Sequence, residues 1–364
     1  MIKIEPPDGD LSRTFPPLAD DGVTAYFCHQ NAGKHFVSMN LAAPGATEVI
    51  LDLVDSADVV VENYRPGVMD RLGLGAAALL ERRPSLVYCS VTGFGQDGPW
   101  AQRRAYAPMG HLESGMLSHD ELKTGRPARQ PALTLGDAAA ALMAVNAVNA
   151  MLVKALRTGE GGHLDVSMVE ALVFIQEWVS TELAGGWDTV NAGSCDESPI
   201  LRLPNGEAWG IAGSPLAWWD ALVAVMERPD MAADPRYATM ESRGEHRDEI
   251  EAEITAWAAT FGSFEEFRDH LEANSPFTTA ALRDIHELAA SDFADHRGMF
   301  TQASNGVVIP ARSAAGSDIG TSGRVGARGS DNVDVATRIL GYDQARISQL
   351  ISDGVLLADP SVQV

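Results

Sequence analysis

Two short apolar runs, Asp58-Val59-Val60-Val61-Glu62 and Leu86-Val87-Tyr88-Cys89-Ser90-Val91, flank a helix-like segment from Ala76 to Arg82. Runs of this length without polar alternation suit strands buried on both faces. Two such strands joined through a helix predict a parallel crossover, and ligands bind beyond the C-terminal ends of such strands. The loops Asn63-Tyr64-Arg65-Pro66-Gly67 and Gly93 to Pro99 are therefore expected to wall a cleft. Upstream, Pro44 to Leu53 has helical spacing at Val49, Ile50 and Leu53. Strand and helix signals alternate through the first half as in an α/β domain.

The segment Gly161 to Ala171 carries the sharpest chemical signal. Leu164, Val166 and Met168 alternate with His163, Asp165 and Ser167, which predicts a strand, and Ala171 to Ile175 then predicts a helix. Glu170 opens that helix, where backbone N–H groups favour negative charge and a carboxylate can point into a cleft. A first-turn acid that only stabilises its own helix gives the same pattern, so the segment alone leaves both roles open. Before it, Asp137 is read as the N-cap of a long Ala-rich helix from Ala138 to Leu156. Asn146, Asn149 and Lys154 on that helix argue for a buried core element and against a membrane span.

Composition changes after residue 190. Asn191 to Pro199 is polar and turn-rich, and Pro204-Asn205-Gly206-Glu207 between two apolar runs predicts a hairpin with an Asn-Gly turn. Charged helical segments follow at Arg243 to Trp257 and Phe264 to Leu271, which places a smaller α+β domain at about residues 198–300. Beyond Gly306 the chain is loop-rich until helices around Val335 and Ile347. With 364 residues, 45% hydrophobic and 21% charged, the chain suits about two domains with a large core.

The formal net charge of −23 argues against nucleic acid or an anionic membrane as the main partner, so an anionic ligand needs a local basic pocket. Cys28, Cys89 and Cys195 form no CxxC pair, which fits a reducing, cytoplasmic setting, and the N-terminal residues carry no signal-peptide pattern. The nine histidines are scattered without metal-ligand spacing, so no metal is expected. Cys28 and His29 are neighbours in sequence, which does not make them a nucleophile–base pair.

Several ordered motifs now converge. Val60 to Gly73, Ser90 to Pro99, Leu135-Gly136-Asp137 and Asp165 to Ala171 closely resemble the class III CoA-transferases, the CaiB/BaiF family. The resemblance runs from Ile2 to about Leu356, with Asp284-Ile285-His286 and Arg297 to Phe300 resembling the pattern after the family's small domain. It implies a Rossmann-like large α/β domain built from both chain ends (1–197 and 301–364), an inserted small domain (198–300), and two subunits interlocked as rings. The reaction it implies moves CoA from an acyl-CoA to a carboxylic acid through a covalent carboxylate intermediate. CoA enters as substrate, with no tightly bound cofactor.

The family's usual nucleophile is an Asp; the matching residue here is Glu170. Glu keeps similar basicity but extends the oxygen by roughly one bond length, which matters to near-attack geometry. The positions matching CoA-contacting residues are Asn63, Tyr64, Arg71, Arg104 and Tyr106. Arginine suits phosphate through bidentate hydrogen bonds, although Arg104 beside Arg103 also reads as a solvated surface charge. A lysine that some members bring to CoA is Ala42 here.

The family also includes 2-methylacyl-CoA racemases, whose His matches Tyr106 and whose neighbouring carboxylate matches Ala107, leaving only the nearby His111 for that chemistry. The loop that closes over the acyl group in formyl-CoA-type members reads Ala192 to Ser198 here, acidic and bulkier, which disfavours small anionic substrates. The family's opening strand and first helix are expected to be absent before Ile2. Together with Glu170 this keeps a catalytically silent, CoA-ester-binding homologue as the alternative. Trp187, Trp218 and Trp219 are candidates for an acyl pocket or for core packing.

Overall fold

The computed structural model describes residues 1–19, 21–185, 198–311 and 322–362. They divide into two compact units, Met1–Glu177 with Asp292–Val364, and Trp178–Ser291. The strands run in the order β1 (Ile2–Glu5), β2 (His35–Met39), β3 (Val59–Glu62), β4 (Val87–Thr92), β5 (Gly162–Ser167), β6 (Ile200–Arg202), β7 (Ala208–Ala212), β8 (Thr278–Ala281), β9 (Phe300–Gln302), β10 (Val308–Pro310) and β11 (Leu356–Leu357). Parallel and antiparallel sheets occur together in a mixed α/β fold.

In the first unit β3, β4 and β5 form a parallel sheet with β4 in the centre, as the crossover reading expects. Glu62 aligns with Ser90, Ser90 with Asp165, and Thr92 with Ser167. Because side chains alternate along a strand, these polar residues share one face, and Cys89, Val91, Leu164 and Val166 share the other. The Leu135–Thr158 helix covers the apolar face, where Ala139, Ala140 and Ala144 pack with Cys89 and Val166. Helices Ala46–Ser56 and Ala76–Arg82 contribute to the cluster around Val54, Leu79 and Tyr88 on the other side.

Three readings need correction here. Burial on both faces holds along most of β4, but among the described residues β3 is a sheet edge and its Val61 is 60% exposed. Asp137 is not an N-cap: the helix begins at Leu135 after Thr134, and Asp137 lies in its first turn. The reason is tertiary, since the Gly136 N–H finds an acceptor on His111 Nε2 at 3.1 Å and the helix can begin before its acid. The same helix is not enclosed as a core element. Its small residues bury one side, whereas Leu142, Val145 and Leu156 are exposed, and only 22% of its most apolar 18-residue stretch is buried. By length and composition alone it could cross a membrane.

The second unit contains the expected hairpin. β6 and β7 pair antiparallel, Leu203 N–H donates to Glu207 O at 2.9 Å, and Gly206 takes φ +92°, where a Cβ is strained. β8 adds to β7, and Trp209, Ile250, Ile254, Phe267 and Leu271 build the core beneath. Trp219 belongs to that core and Trp218 is half-exposed; Trp187 lies outside the described residues. The single helix expected over Arg243 to Trp257 is two, Met240–Glu245 and Arg247–Ala258. His246 ends the first of them, its N–H donating to both Ser242 O and Arg243 O.

Candidate active site

The C-terminal ends of β3, β4 and β5 lie side by side, and each leads into one element of the candidate site. After β5 the chain turns at Ser167 and the helix Met168–Ile175 begins, so Met168 is its first residue rather than the last of the strand. The helix needs partners for its first N–H groups. Val169 N–H donates to Gly93 O at 3.2 Å and Glu170 N–H to Ser167 Oγ at 3.4 Å, while the Ser167 hydroxyl donates to Gly93 O at 3.3 Å.

Glu170 therefore sits in the first turn, solvent-exposed. Ser167 to Glu170 has the spacing of a capping box, but the return bond is missing: no described group hydrogen-bonds to the Glu170 carboxylate. A carboxylate without described hydrogen-bond partners keeps its oxygen lone pairs uncommitted.

After β4 comes the glycine loop. A Cβ on Gly93 would fall 2.0 Å from Ala105 Cβ, and Gly95 has φ +89°. Gly95 N–H donates to Thr92 Oγ1 and Gln96 N–H to Asp165 Oδ2, both at 2.8 Å. The Gly93–Ala105 contact brings the segment carrying Arg104 and Tyr106 against this loop. Tyr106 is 78% exposed and precedes the helix Ala107–Glu113. That helix packs closely on the Glu170 helix, because Gly110 leaves room for Met168.

After β3, Asn63 Nδ2 donates to Val91 O near the end of β4, and the buried Glu62 accepts the Tyr64 N–H at 2.7 Å. Tyr64 is 45% exposed. The structure thus gathers Asn63, Tyr64, Tyr106 and Glu170 around one sheet end. Arg71 ends the short helix Val68–Arg71 and, like Arg104, is exposed without a described ion-pair partner. Arg103, by contrast, pairs with Glu113 and lies over the rings of Phe94 and Trp100 at 4.7 and 4.8 Å. The neighbouring arginines thus differ: Arg103 is engaged by Glu113 and two rings, and Arg104 is exposed with no described ion-pair partner.

His111 is occupied structurally. Its Nε2 accepts from the Gly136 N–H, which leaves Nδ1 as donor to Gln130 Oε1 at 2.8 Å, and Gln130 Nε2 donates to Pro108 O. It is 2% exposed and holds no free lone pair for proton abstraction. The loop 192–197 and Cys195 lie outside the described residues.

Burial pushes the Cys89 thiol up to about 11, with Glu62 and Asp165 adding to the effect. Native Cys89 should therefore react with iodoacetamide at pH 8 about 100-fold more slowly than in urea, from the loss of thiolate alone; equal rates in a peptide-resolved labelling experiment would contradict this environment. Ligand atoms of His35, Asp331 and Asp334 approach within 4.8 Å, yet Asp331 is already held by Arg324 at 2.6 Å and by the Phe36 N–H at 2.7 Å.

Thr92 and Asp165 stand out in the sequence only as parts of motifs, and their tethering of the glycine loop is not legible there. The available signal was phase: both alternate in step with Ser90 and Ser167 on the polar strand face.

A model of CoA-transferase family III matches residues 1–320. The chain belongs to CoA-transferase family III. It is 33% identical over 260 residues to acetyl-CoA:oxalate CoA-transferase of Acetobacter aceti, a match covering 70% of this chain and 66% of that protein. It is 32% identical over 297 residues to succinyl-CoA:mesaconate CoA-transferase of Haloarcula marismortui, covering 76% and 72%. Relatives of this family III chain are thus CoA-transferases by name, matched over about two thirds of their length. A CaiB/BaiF family protein from Brucella suis has the same fold, with TM-score 0.77 at 23% identity over 93% of this chain and 91% of that one.

Proposed function

We propose that this family III protein is an acyl-CoA:carboxylate CoA-transferase with Glu170 as nucleophile. The observation that carries the reading is the exposed Glu170 carboxylate, free of described hydrogen-bond partners, at the junction of three parallel strand ends. Its oxygen attacks the thioester carbonyl, the C–S bond breaks, and CoA thiolate leaves a mixed anhydride. The thiolate then attacks the Glu170 carbonyl, freeing the donor acid and leaving a γ-glutamyl thioester. The acceptor carboxylate displaces CoA from Glu170 by the same two steps in reverse. Splitting one hard displacement into easier ones needs no external base, because a carboxylate oxygen attacks without first giving up a proton to a neighbouring group.

CoA enters as a substrate held by Asn63, Tyr64, Arg71, Arg104 and Tyr106, with the two arginines supplying phosphate contacts in an otherwise acidic chain. Exposed apolar side chains at Leu142, Val145 and Phe174 support burial against a second copy, in keeping with an interlocked homodimer of a Rossmann-like large domain and an inserted small one. The cytoplasm suits a CoA-dependent enzyme. The structural role of His111 weighs against racemase chemistry.

Intact-mass spectrometry with a panel of acyl-CoA esters, followed by peptide mapping over residues 159–177, tests the reading. An adduct on Glu170 that hydroxylamine removes is expected. Thermal stabilisation by CoA esters with no adduct and no transfer would instead make the protein a silent CoA-ester-binding homologue.

A further inference from the structure

We infer that Asp165 is a positioning residue for Glu170, acting through the Gly93–Gln96 loop; the inference rests on the nucleophilic role proposed above. Asp165 stands on β5 with its side chain on the polar face, level with Ser90. Its Oδ2 accepts the Gln96 N–H at 2.8 Å, a bond between a charged acceptor and a loop that has no sheet partners of its own. The other end of that loop is bonded to the nucleophile's helix. Gly93 O accepts from both Val169 N–H and Ser167 Oγ, and Ser167 Oγ in turn accepts the Glu170 N–H.

The Gly93–Gln96 backbone thus links two hydrogen-bonded ends, one on Asp165 and one on the first turn that carries Glu170. Thr92 Oγ1 pins Gly95 between them, and Ala105 backs Gly93 so closely that the loop cannot relax to that side. Asp165 is the one charged group in this link. Its loss would free the Gln96 end of the loop and let Gly93 O, the acceptor under the helix N-terminus, move. A nucleophile extended by the extra methylene of Glu depends on such fixing, because attack needs the oxygen held within a few tenths of an ångström.

The test compares Asp165→Ala and Asp165→Asn with wild type by amide hydrogen exchange and by the rate of acyl transfer to Glu170. Asp165→Ala should raise exchange at Gln96 about tenfold and slow acylation roughly 10- to 100-fold, with acyl-CoA affinity changed less than about twofold. Asp165→Asn keeps a carbonyl acceptor and should recover to within about threefold of wild type. A purely structural role would lower the melting temperature of both variants without splitting rate from affinity. Unchanged Gln96 exchange in Asp165→Ala would show that no tether exists, and raised exchange with wild-type acylation would show that the tether does not position Glu170. Wild-type turnover without a Glu170 adduct would sink the nucleophile reading instead; the tether is then judged on exchange and turnover, where an unchanged turnover in Asp165→Ala overturns it.

Discussion

Glu170→Gln should lose at least about 1,000-fold in CoA-transfer rate while binding acyl-CoA within roughly twofold of wild type, because the amide keeps the shape of the side chain and removes the attacking anion. The surroundings of Glu170 make this a clean substitution. No described group hydrogen-bonds to the carboxylate, so replacing it orphans no buried partner, and its backbone N–H bond to Ser167 Oγ is unaffected. Steady-state transfer, isothermal titration with a CoA ester and the peptide map should be read together.

Retained transfer in Glu170→Gln would end the covalent mechanism at this residue. Glu170→Asp is the informative companion. It shortens the reach by roughly one bond length, and in a pocket shaped for Glu it should cost about 10- to 100-fold in rate. An Asp variant faster than wild type would show that the pocket is still shaped for the family's usual residue and that the chain has drifted from it.

Gly93→Ala should carry the second largest effect, on stability and transfer together. Its new methyl would lie 2.0 Å from Ala105 Cβ, far inside van der Waals contact, and the neighbour is a short side chain that cannot swing away. Either the segment leading to Arg104 and Tyr106 or the glycine loop must move. Overpacking of this kind costs about 1–3 kcal/mol. Displacing Gly93 O also disturbs both hydrogen bonds that anchor the Glu170 helix, so transfer should fall roughly 100-fold.

The double variant Gly93→Ala/Ala105→Gly removes the clash and should regain most of both losses. Urea melts and transfer rates of the four proteins form a cycle with an expected coupling of about 1–3 kcal/mol. Additive effects would mean that the contact with Ala105 does not restrain the loop.

How far the site could be read in advance depended on whether each residue's role was local. The β3–helix–β4 crossover was legible from apolar runs, and the hairpin at Asn205-Gly206 from turn chemistry, because short-range backbone preferences decide both. Glu170 was legible as a first-turn acid for the same reason. Its lack of partners among the described residues was not, since a capping-box spacing such as Ser167 to Glu170 normally occupies its acid. Arg103 and Arg104 are indistinguishable as letters; only the packing of Phe94 and Trp100 and the reach of Glu113 select which one is engaged. The His111 case is alike, because the groups that fill its two nitrogens come from Gly136 and Gln130, 25 and 19 residues away.

By itself, then, the sequence determined the order of strands and helices, the turn at Gly206, the acid at the head of the Glu170 helix and the family's ordered motifs. These follow from periodicity and from backbone preferences that operate over a few residues. Tertiary structure alone decided that β3 is an edge, that the Leu135–Thr158 helix leaves an apolar side uncovered, that His111 is a structural residue, and that Asp165 reaches the glycine loop. Each of these depends on which distant groups compete for the same hydrogen bond or the same volume, and that competition is settled only when the chain is packed.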